Sequence, residues 1–154
     1  MENNKKYITN GWLAIIIVTL ILVIDQIIKI EVKTNMTLGE AIRITDWFYI
    51  DFIENNGMAY GMTFFNKLVL SLFRTFAIGA IGWYIWRVVK TGIFSRGYIV
   101  CLAMILAGAA GNLIDCLFYG LIFDASTPFS VADFVPFGTG YSTFLHGKVV
   151  DMFY

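Results

Sequence analysis

Charged residues are scarce in this sequence: Asp, Glu, Lys and Arg together make up 14% of its 154 residues. A soluble domain carries about a quarter charged residues, so the composition is not that of a soluble protein. The 11 basic residues balance the 11 acidic ones, and this zero net charge gives no reason to expect nucleic acid or another polyanion as a partner. Apolar residues instead make up 58% of the chain, which indicates a membrane protein.

The residues that usually build metal and nucleophile sites are also few. His146 is the sole histidine, so a zinc site with several histidine or cysteine ligands is not expected. No serine or cysteine has a plausible basic partner that could activate it as a nucleophile, and there is no glycine-rich phosphate loop. On one helix Cys101 and Cys116 would stand about 22 Å apart, too far for a disulfide. We interpret both as small buried hydrophobic residues, which leaves carboxylates as the groups available for chemistry.

Three apolar runs are each long enough to cross a bilayer, which takes about 20 residues. They cover residues 12–30, 68–89 and 97–119. The first run continues without a small-residue cleavage site, so it is predicted to be a retained helix and not a cleaved signal peptide. Lys and Arg concentrate before the first run and between the second and third, whereas Lys33 and Arg43 are mixed with acids between the first and second. This distribution places the N-terminus in the cytoplasm.

Residues 31–66 and 120–154 are then predicted to lie outside the cytoplasm. Residues 42–53, IRITDWFYIDFI, mix β-branched and aromatic residues with partial alternation, which is typical of one or two short strands. ENNG at 54–57 is a turn signal and is explained on local grounds by a plain hairpin turn. The tail is rich in loop residues, with a short strand or helix start expected at Asp151. The fold class predicted is an all-α polytopic membrane protein, a single membrane domain over residues 1–154.

Polar residues interrupt the predicted spans at one depth, just below the outer surface. They are Asp25, Lys29, Arg74, Asn112 and Asp115. A charge at the centre of a membrane helix costs about 2.5 to 3.5 kcal/mol on insertion scales, so such residues usually have a function. Two interpretations stay open, a functional site or an ion-paired cluster that holds the helices together. In the second, Asp25 and Lys29 pair one turn apart, and Arg74 neutralises Asp115 or extends towards the surface.

Small residues recur at four-residue spacing on the third predicted helix, at Ala103, Ala107 and Gly111. A strip of small side chains allows a neighbouring helix to approach closely. The strip continues to Asp115, so this carboxylate is predicted to point into the helix bundle and not towards lipid.

Four motifs follow one another in the order of a known family. They are DQIIK (25–29), NNGMAYG (55–61), GNLID (111–115) and VVDMF (149–153). In this order, and at these positions relative to the membrane, they resemble bacterial lipoprotein signal peptidase, also called signal peptidase II. The resemblance implies a four-helix intramembrane aspartyl protease of the bacterial cytoplasmic (inner) membrane, with a small extracytoplasmic β-cradle, no cofactor and no metal.

The resemblance also implies roles for individual residues and partners. Asp151 matches the first catalytic aspartate of the family. Site-lining or substrate-binding positions are matched by Asp25, Lys29, Asn55, Gly57, Asn112 and Asp115. The implied substrates are prolipoproteins, which such enzymes cleave before the diacylglyceryl-modified cysteine. Membrane lipid is the other expected partner, no nucleic acid is expected, and the protein is expected to be a monomer.

Three features depart from the family pattern. Cys116 stands where an arginine is usual, and Met58 stands where a small residue is usual. The second catalytic aspartate, which opens a fourth helix after the first, has no match in this sequence. FSVAD at 129–133 comes near its motif but precedes Asp151, so Asp133 is interpreted as a loop acid. The 154-residue chain is therefore expected to be incomplete and inactive alone.

A different class of function competes with the protease. The polar residues at outer-leaflet depth would serve equally in a non-enzymatic membrane scaffold or transporter that binds an ion or a lipid headgroup there.

Overall fold

Long helices make up most of the fold. The computed structural model describes residues 1–55 and 67–153, and within them three helices are long and apolar enough to cross a membrane. These are α1 (Glu2–Asn35), α2 (Lys67–Thr91) and α3 (Arg96–Ile114); a π-helical turn, Asp115–Tyr119, and the short α4, Gly120–Ile122, continue α3. The long helices predicted at residues 12–30, 68–89 and 97–119 are confirmed. The helices extend beyond the predicted runs because hydropathy marks only the part suited to hydrocarbon, whereas helical hydrogen bonds continue into polar flanks.

The described residues form two compact units. One consists of Met1–Asp25 with Phe73–Gly111, and the other of Gln26–Leu72 with Asn112–Tyr154. The hydrophobic core of the first unit consists of Ala14, Ile85, Val88, Val89, Ile99 and Ala103. The hydrophobic core of the second unit consists of Val32, Met36, Phe52, Tyr119, Phe123, Val150 and Met152.

In the first unit, α3 buries its small residues. Ala103, Ala107 and Gly111 lie on its buried face, and a Cβ added at Gly111 would collide with the carboxylate of Asp25. The predicted close approach is therefore confirmed, and α1 is the helix that makes it. Cys101 is exposed, so its interpretation as a buried residue is wrong: it follows the buried Ile99 by two positions and so points to the opposite side of the helix.

In the second unit, three strands form an antiparallel sheet in the order β1-β2-β3. They are β1 (Ala41–Arg43), β2 (Tyr49–Asn55) and β3 (Val149–Phe153). One or two short strands were predicted within residues 42–53, and the structure has two, β1 and β2, the second of which continues to Asn55. Of the short strand or helix start expected at Asp151, the structure has the strand, β3. Three long apolar helices with a small sheet confirm the predicted fold class.

Strands β2 and β3 each have a buried face and an open face. Phe52 and Val150 are 0% and 2% exposed, whereas Ile53 is 46% exposed and Asp151 is also exposed. Ile53 and Asp151 are Cα partners across the two strands. Because side chains alternate between faces, Asp151 projects away from the core that Val150 helps to form.

The loop before β3 packs backbone to backbone against the π-helical turn. The Gly147 N–H donates to the carbonyl of Cys116 at 3.0 Å. A Cβ at Gly147 would collide with the carbonyl oxygen of Asp115 and lie tightly against that of Cys116, so only glycine allows this approach. The contact fixes the start of β3 relative to the end of α3.

Replacing Gly147 with alanine is expected to destabilise the protein by about 1 to 3 kcal/mol, because the added methyl group forces the two backbones apart. Thermal unfolding in detergent micelles measures the effect. The control is Gly79→Ala in α2, where nothing lies within 4 Å of the added Cβ and the helix propensity of alanine favours folding. Equal melting temperatures for the two variants would contradict the assignment.

Candidate active site

The carboxylate of Asp115 is the centre of a buried polar network. It stands at the first position of the π-helical turn and is 0% exposed. Its Oδ2 accepts hydrogen bonds from Lys29 Nζ at 2.7 Å and from the Val150 N–H at 3.1 Å, and its Oδ1 accepts one from Gln26 Nε2 at 3.2 Å. A buried carboxylate is tolerated when it is paired and hydrogen-bonded, and both conditions are met here.

Further hydrogen bonds extend the network along both helices. Lys29 is 2% exposed, and its ammonium also donates to Asn112 Oδ1 at 3.0 Å. The Tyr119 hydroxyl donates to Gln26 Oε1 at 2.8 Å. Lys29 and Gln26 lie three positions apart and thus on one face of α1, while Asn112 and Tyr119 flank Asp115. The network therefore joins the end of α1 to the end of α3.

The network reaches the strand that carries Asp151. The N–H bonded by Asp115 belongs to Val150, the residue immediately before Asp151. The carboxylate of Asp151 is exposed, and it has no hydrogen bond or ion pair with the part of the chain that the structure describes. Both carboxylate oxygens of Asp115 thus accept hydrogen bonds, whereas the carboxylate of Asp151 is exposed on β3.

Three of the residues singled out in the sequence, Lys29, Asn112 and Asp115, are direct partners in this network. Asn55 ends β2 and is the Cα partner of Val149 on β3. Asp25 lies in the other unit, against Gly111. Gly57, like Met58, lies outside the described residues.

Two other residues from the sequence analysis lie elsewhere. Arg74 is half-buried in α2, and its pairing with Asp115 stays a prediction; Lys29 is an ion-pair partner that Asp115 does have. Asp133 is exposed, and its N–H donates to Asp124 Oδ1 at 2.7 Å in the tail. Among the residues described, no three His, Cys, Asp or Glu side chains gather where a metal ion could be held.

Sequence reasoning missed Gln26 and Tyr119. Gln26 did carry a signal, since an uncharged amide inside an apolar run also has to find a hydrogen-bond partner. Its spacing of three from Lys29 placed the two side chains on one face of α1. Tyr119 gave no comparable signal, because a tyrosine at the end of a membrane span is ordinarily explained as an interfacial anchor.

The fold and the network together define a polytopic membrane protein with buried polar residues at the ends of two spanning helices. A profile of the family described as signal peptidase (SPase) II matches residues 17–154. The lipoprotein signal peptidase of Porphyromonas gingivalis is 44% identical over 154 residues, which are all of this chain and 68% of that protein. The chain therefore belongs to the signal peptidase II family.

Other similarities agree with this family. The lipoprotein signal peptidase of Amoebophilus asiaticus is 37% identical over 144 residues, covering 90% of this chain and 57% of that protein. The solved structure of a bacterial membrane enzyme, determined by the in meso method, has the same fold with a TM-score of 0.61 at 22% identity. The superposition covers 91% of this chain and 72% of that one.

Replacing Lys29 with methionine is expected to destabilise the protein by about 3 to 5 kcal/mol, because the buried Asp115 carboxylate then lacks a counter-charge. Thermal unfolding of the purified variant in micelles measures the loss. The matched control is Arg43→Ala, which breaks a surface ion pair with Asp46 whose side chains are 61% and 87% exposed; it should leave the melting temperature nearly unchanged. An equal change in both variants would show that the Lys29 pair is not a buried anchor.

Proposed function

We propose that this protein is an aspartyl signal peptidase of the bacterial cytoplasmic membrane. It removes signal peptides from prolipoproteins, cleaving before the diacylglyceryl-modified cysteine. Membership of the signal peptidase II family supports the reaction and the substrate class. The observation that carries the catalytic role is the placement of Asp151: an exposed carboxylate on β3, one residue from the N–H that Asp115 bonds at 3.1 Å.

The mechanism requires a second carboxylate close to Asp151. Two carboxylates held together share one proton, because both cannot easily ionise. The ionised member takes a proton from water, which attacks the scissile carbonyl. The protonated member donates a hydrogen bond to the developing oxyanion, and a proton then passes to the leaving amine. The pair titrates as a unit. The family's second aspartate follows the first in sequence, and we assign no residue of 1–154 to it.

Asp115 is proposed to position the strand and not to transfer protons. Both of its oxygens already accept hydrogen bonds, and the side chain is 0% exposed. Neither oxygen is therefore accessible to solvent in this arrangement. Lys29 and Asn112 share this supporting role, since Lys29 bonds both Asp115 and Asn112.

The remaining assignments rest on the family motifs. Asp25, Asn55 and Gly57 are proposed to line the site or contact the substrate. With the N-terminus in the cytoplasm, as the distribution of Lys and Arg indicates, the site lies near the outer face of the membrane. The protein is proposed to act as a monomer in contact with membrane lipid.

Binding of a cation is less well supported as a function. The ammonium of Lys29 lies 2.7 Å from Asp115 Oδ2, in the place that a bound cation would take beside this carboxylate. The charge that was the main argument for an ion site is thus already compensated within the protein.

Replacing Asp151 with asparagine in the full-length protein is expected to slow cleavage by at least about a hundredfold, because the catalytic carboxylate is lost. Folded yield should stay the same, since this side chain is exposed. The measurement is turnover of a lipid-modified prolipoprotein in micelles. Asp133→Asn, a change at an exposed acid outside the sheet, is the control and should cleave the precursor normally. An active Asp151→Asn enzyme would end the assignment.

A further inference from the structure

A second buried ion pair lies outside all four sequence motifs. Lys33, one turn beyond Lys29 on α1, and Glu54, on β2, form it with side chains 0% and 4% exposed. The ammonium of Lys33 also donates to Ser126 Oγ at 3.0 Å. The pair thus joins three parts of the second unit, namely α1, the sheet and the tail.

Aromatic rings surround the rest of the Lys33 ammonium. It lies 5.0 Å from the ring centroid of Tyr141, 5.5 Å from that of Phe123 and 5.9 Å from that of Phe52. Burial raises the pKa of Tyr141, so this ring is a neutral phenol, and its oxygen accepts the Lys148 N–H at 2.8 Å. Ring faces attract a desolvated cation. The surroundings of Lys33 therefore favour a positive charge, and the carboxylate of Glu54 supplies the negative charge that pairs with it.

Stability alone does not explain such a pair. A buried ion pair is often no more stabilising than apolar side chains of the same volume, whereas loss of one partner is costly. The best-attested use of a buried polar pair is to select one register among several. In this protein, the register that such a pair could select is that of β2 with β3, whose pairing is irregular.

Strands β2 and β3 meet over few consecutive residues. Ile53, Glu54 and Asn55 pair with Asp151, Val150 and Val149, and the pairing is irregular between Ile50 and Ile53. A shift of one residue would turn the side chains of one strand to the opposite face. If β3 shifted, Asp151 would face the core; if β2 shifted, Glu54 would leave Lys33 unpaired at 0% exposure.

We propose that the Lys33–Glu54 ion pair is a positioning element that fixes β2 in register with β3 and so holds the Asp151 carboxylate at the reaction site. Lys33 and Glu54 are positioning residues, since neither is required to touch the substrate. Glu54 and Val150 are Cα partners, and the Val150 N–H is bonded by Asp115. At Val150, strand β3 is therefore held by Asp115 on one side and by β2 on the other. The inference rests on the proposed role of Asp151.

The decisive variant is the double substitution Lys33→Met with Glu54→Leu in the full-length protein. Removal of both charges leaves none unpaired, so the protein is expected to fold. With the register no longer fixed, kcat per folded molecule should fall roughly tenfold to a hundredfold, since small displacements of catalytic groups have effects of this size. KM should change much less than kcat, because Asp25, which is also proposed to contact the substrate, lies on α1 and outside the sheet.

Two further variants separate positioning from general packing. Lys33→Arg keeps the charge and should retain most of the kcat that the double variant loses. Lys148→Met is the matched control, because Lys148 also faces Glu54, at 3.7 Å, but its side chain is 38% exposed. It should leave kcat unchanged. A loss in Lys148→Met equal to that in the double variant would overturn the specific role of Lys33.

Hydrogen exchange reports on the strand without relying on catalysis. In the double variant, amides of residues 149–153 should exchange faster than in the parent, whereas those of α2 should not change. Unchanged exchange in β3, or native kcat per folded molecule, would overturn the positioning role. The Asp151→Asn variant is assayed in parallel to separate this inference from the proposed function. If Asp151→Asn is active, the proposed function is overturned. If Asp151→Asn is inactive and the double variant is fully active, only this inference is overturned.

Discussion

A carboxylate with no exposed surface has to find all its partners inside the protein, and the structure around Asp115 follows from that requirement. Water cannot solvate the charge, so a cation and hydrogen-bond donors must be supplied by the chain. Lys29 and Gln26 supply them from α1, and the Val150 N–H supplies another from β3. Because these donors come from distant parts of the sequence, satisfying one side chain fixes the end of α1 and strand β3 against the π-helical turn.

Asp115 and Asp151 have opposite environments, and this contrast supports the different roles proposed for them. Asp115 is 0% exposed and accepts three hydrogen bonds from described residues, so it can hold structure but has little freedom to exchange protons. Asp151 is exposed on the open face of its strand. A catalytic carboxylate needs access to water and to substrate, which a side chain bonded like Asp115 could not have.

Much of the fold was predictable from the sequence because the membrane imposes simple rules. The three spans follow from length and hydropathy, and the strands β1 and β2 follow from β-branched and aromatic residues. The convergence of Lys29, Asn112 and Asp115 was predictable from depth alone, because orientation places the ends of the first and third spans at the same surface. The depth of a residue in the membrane does not reveal how its helix is rotated about its own axis, however, and this rotation decides which cation forms an ion pair with Asp115. The pairing of Lys29 with Asp115 was for that reason not predicted.

Other features depend on contacts that no local pattern records. In the sequence, Lys33 was interpreted only as one of the charged residues between the first two predicted spans, yet its side chain is buried. Its burial requires Ser126 and Tyr141, which lie about a hundred positions further along the chain. The π-helical turn is similarly hidden, since one extra residue in a turn leaves hydrophobic periodicity almost unchanged. The sequence also does not distinguish Gly147 from the other glycines, because its structural role depends on the backbone carbonyl groups that face it in the fold.

The sheet is too small to determine its own geometry, and this makes the polar contacts important for function. β1 has only three residues, and the pairing of β2 with β3 is irregular between Ile50 and Ile53. The position of β3 is therefore set by elements outside the sheet: Asp115 bonds its edge, Gly147 fixes its start, and Glu54 holds its neighbour to Lys33. All three contacts lead back to α1 or to the end of α3. The backbone position of Asp151 on β3 thus depends on contacts made at the ends of these two helices.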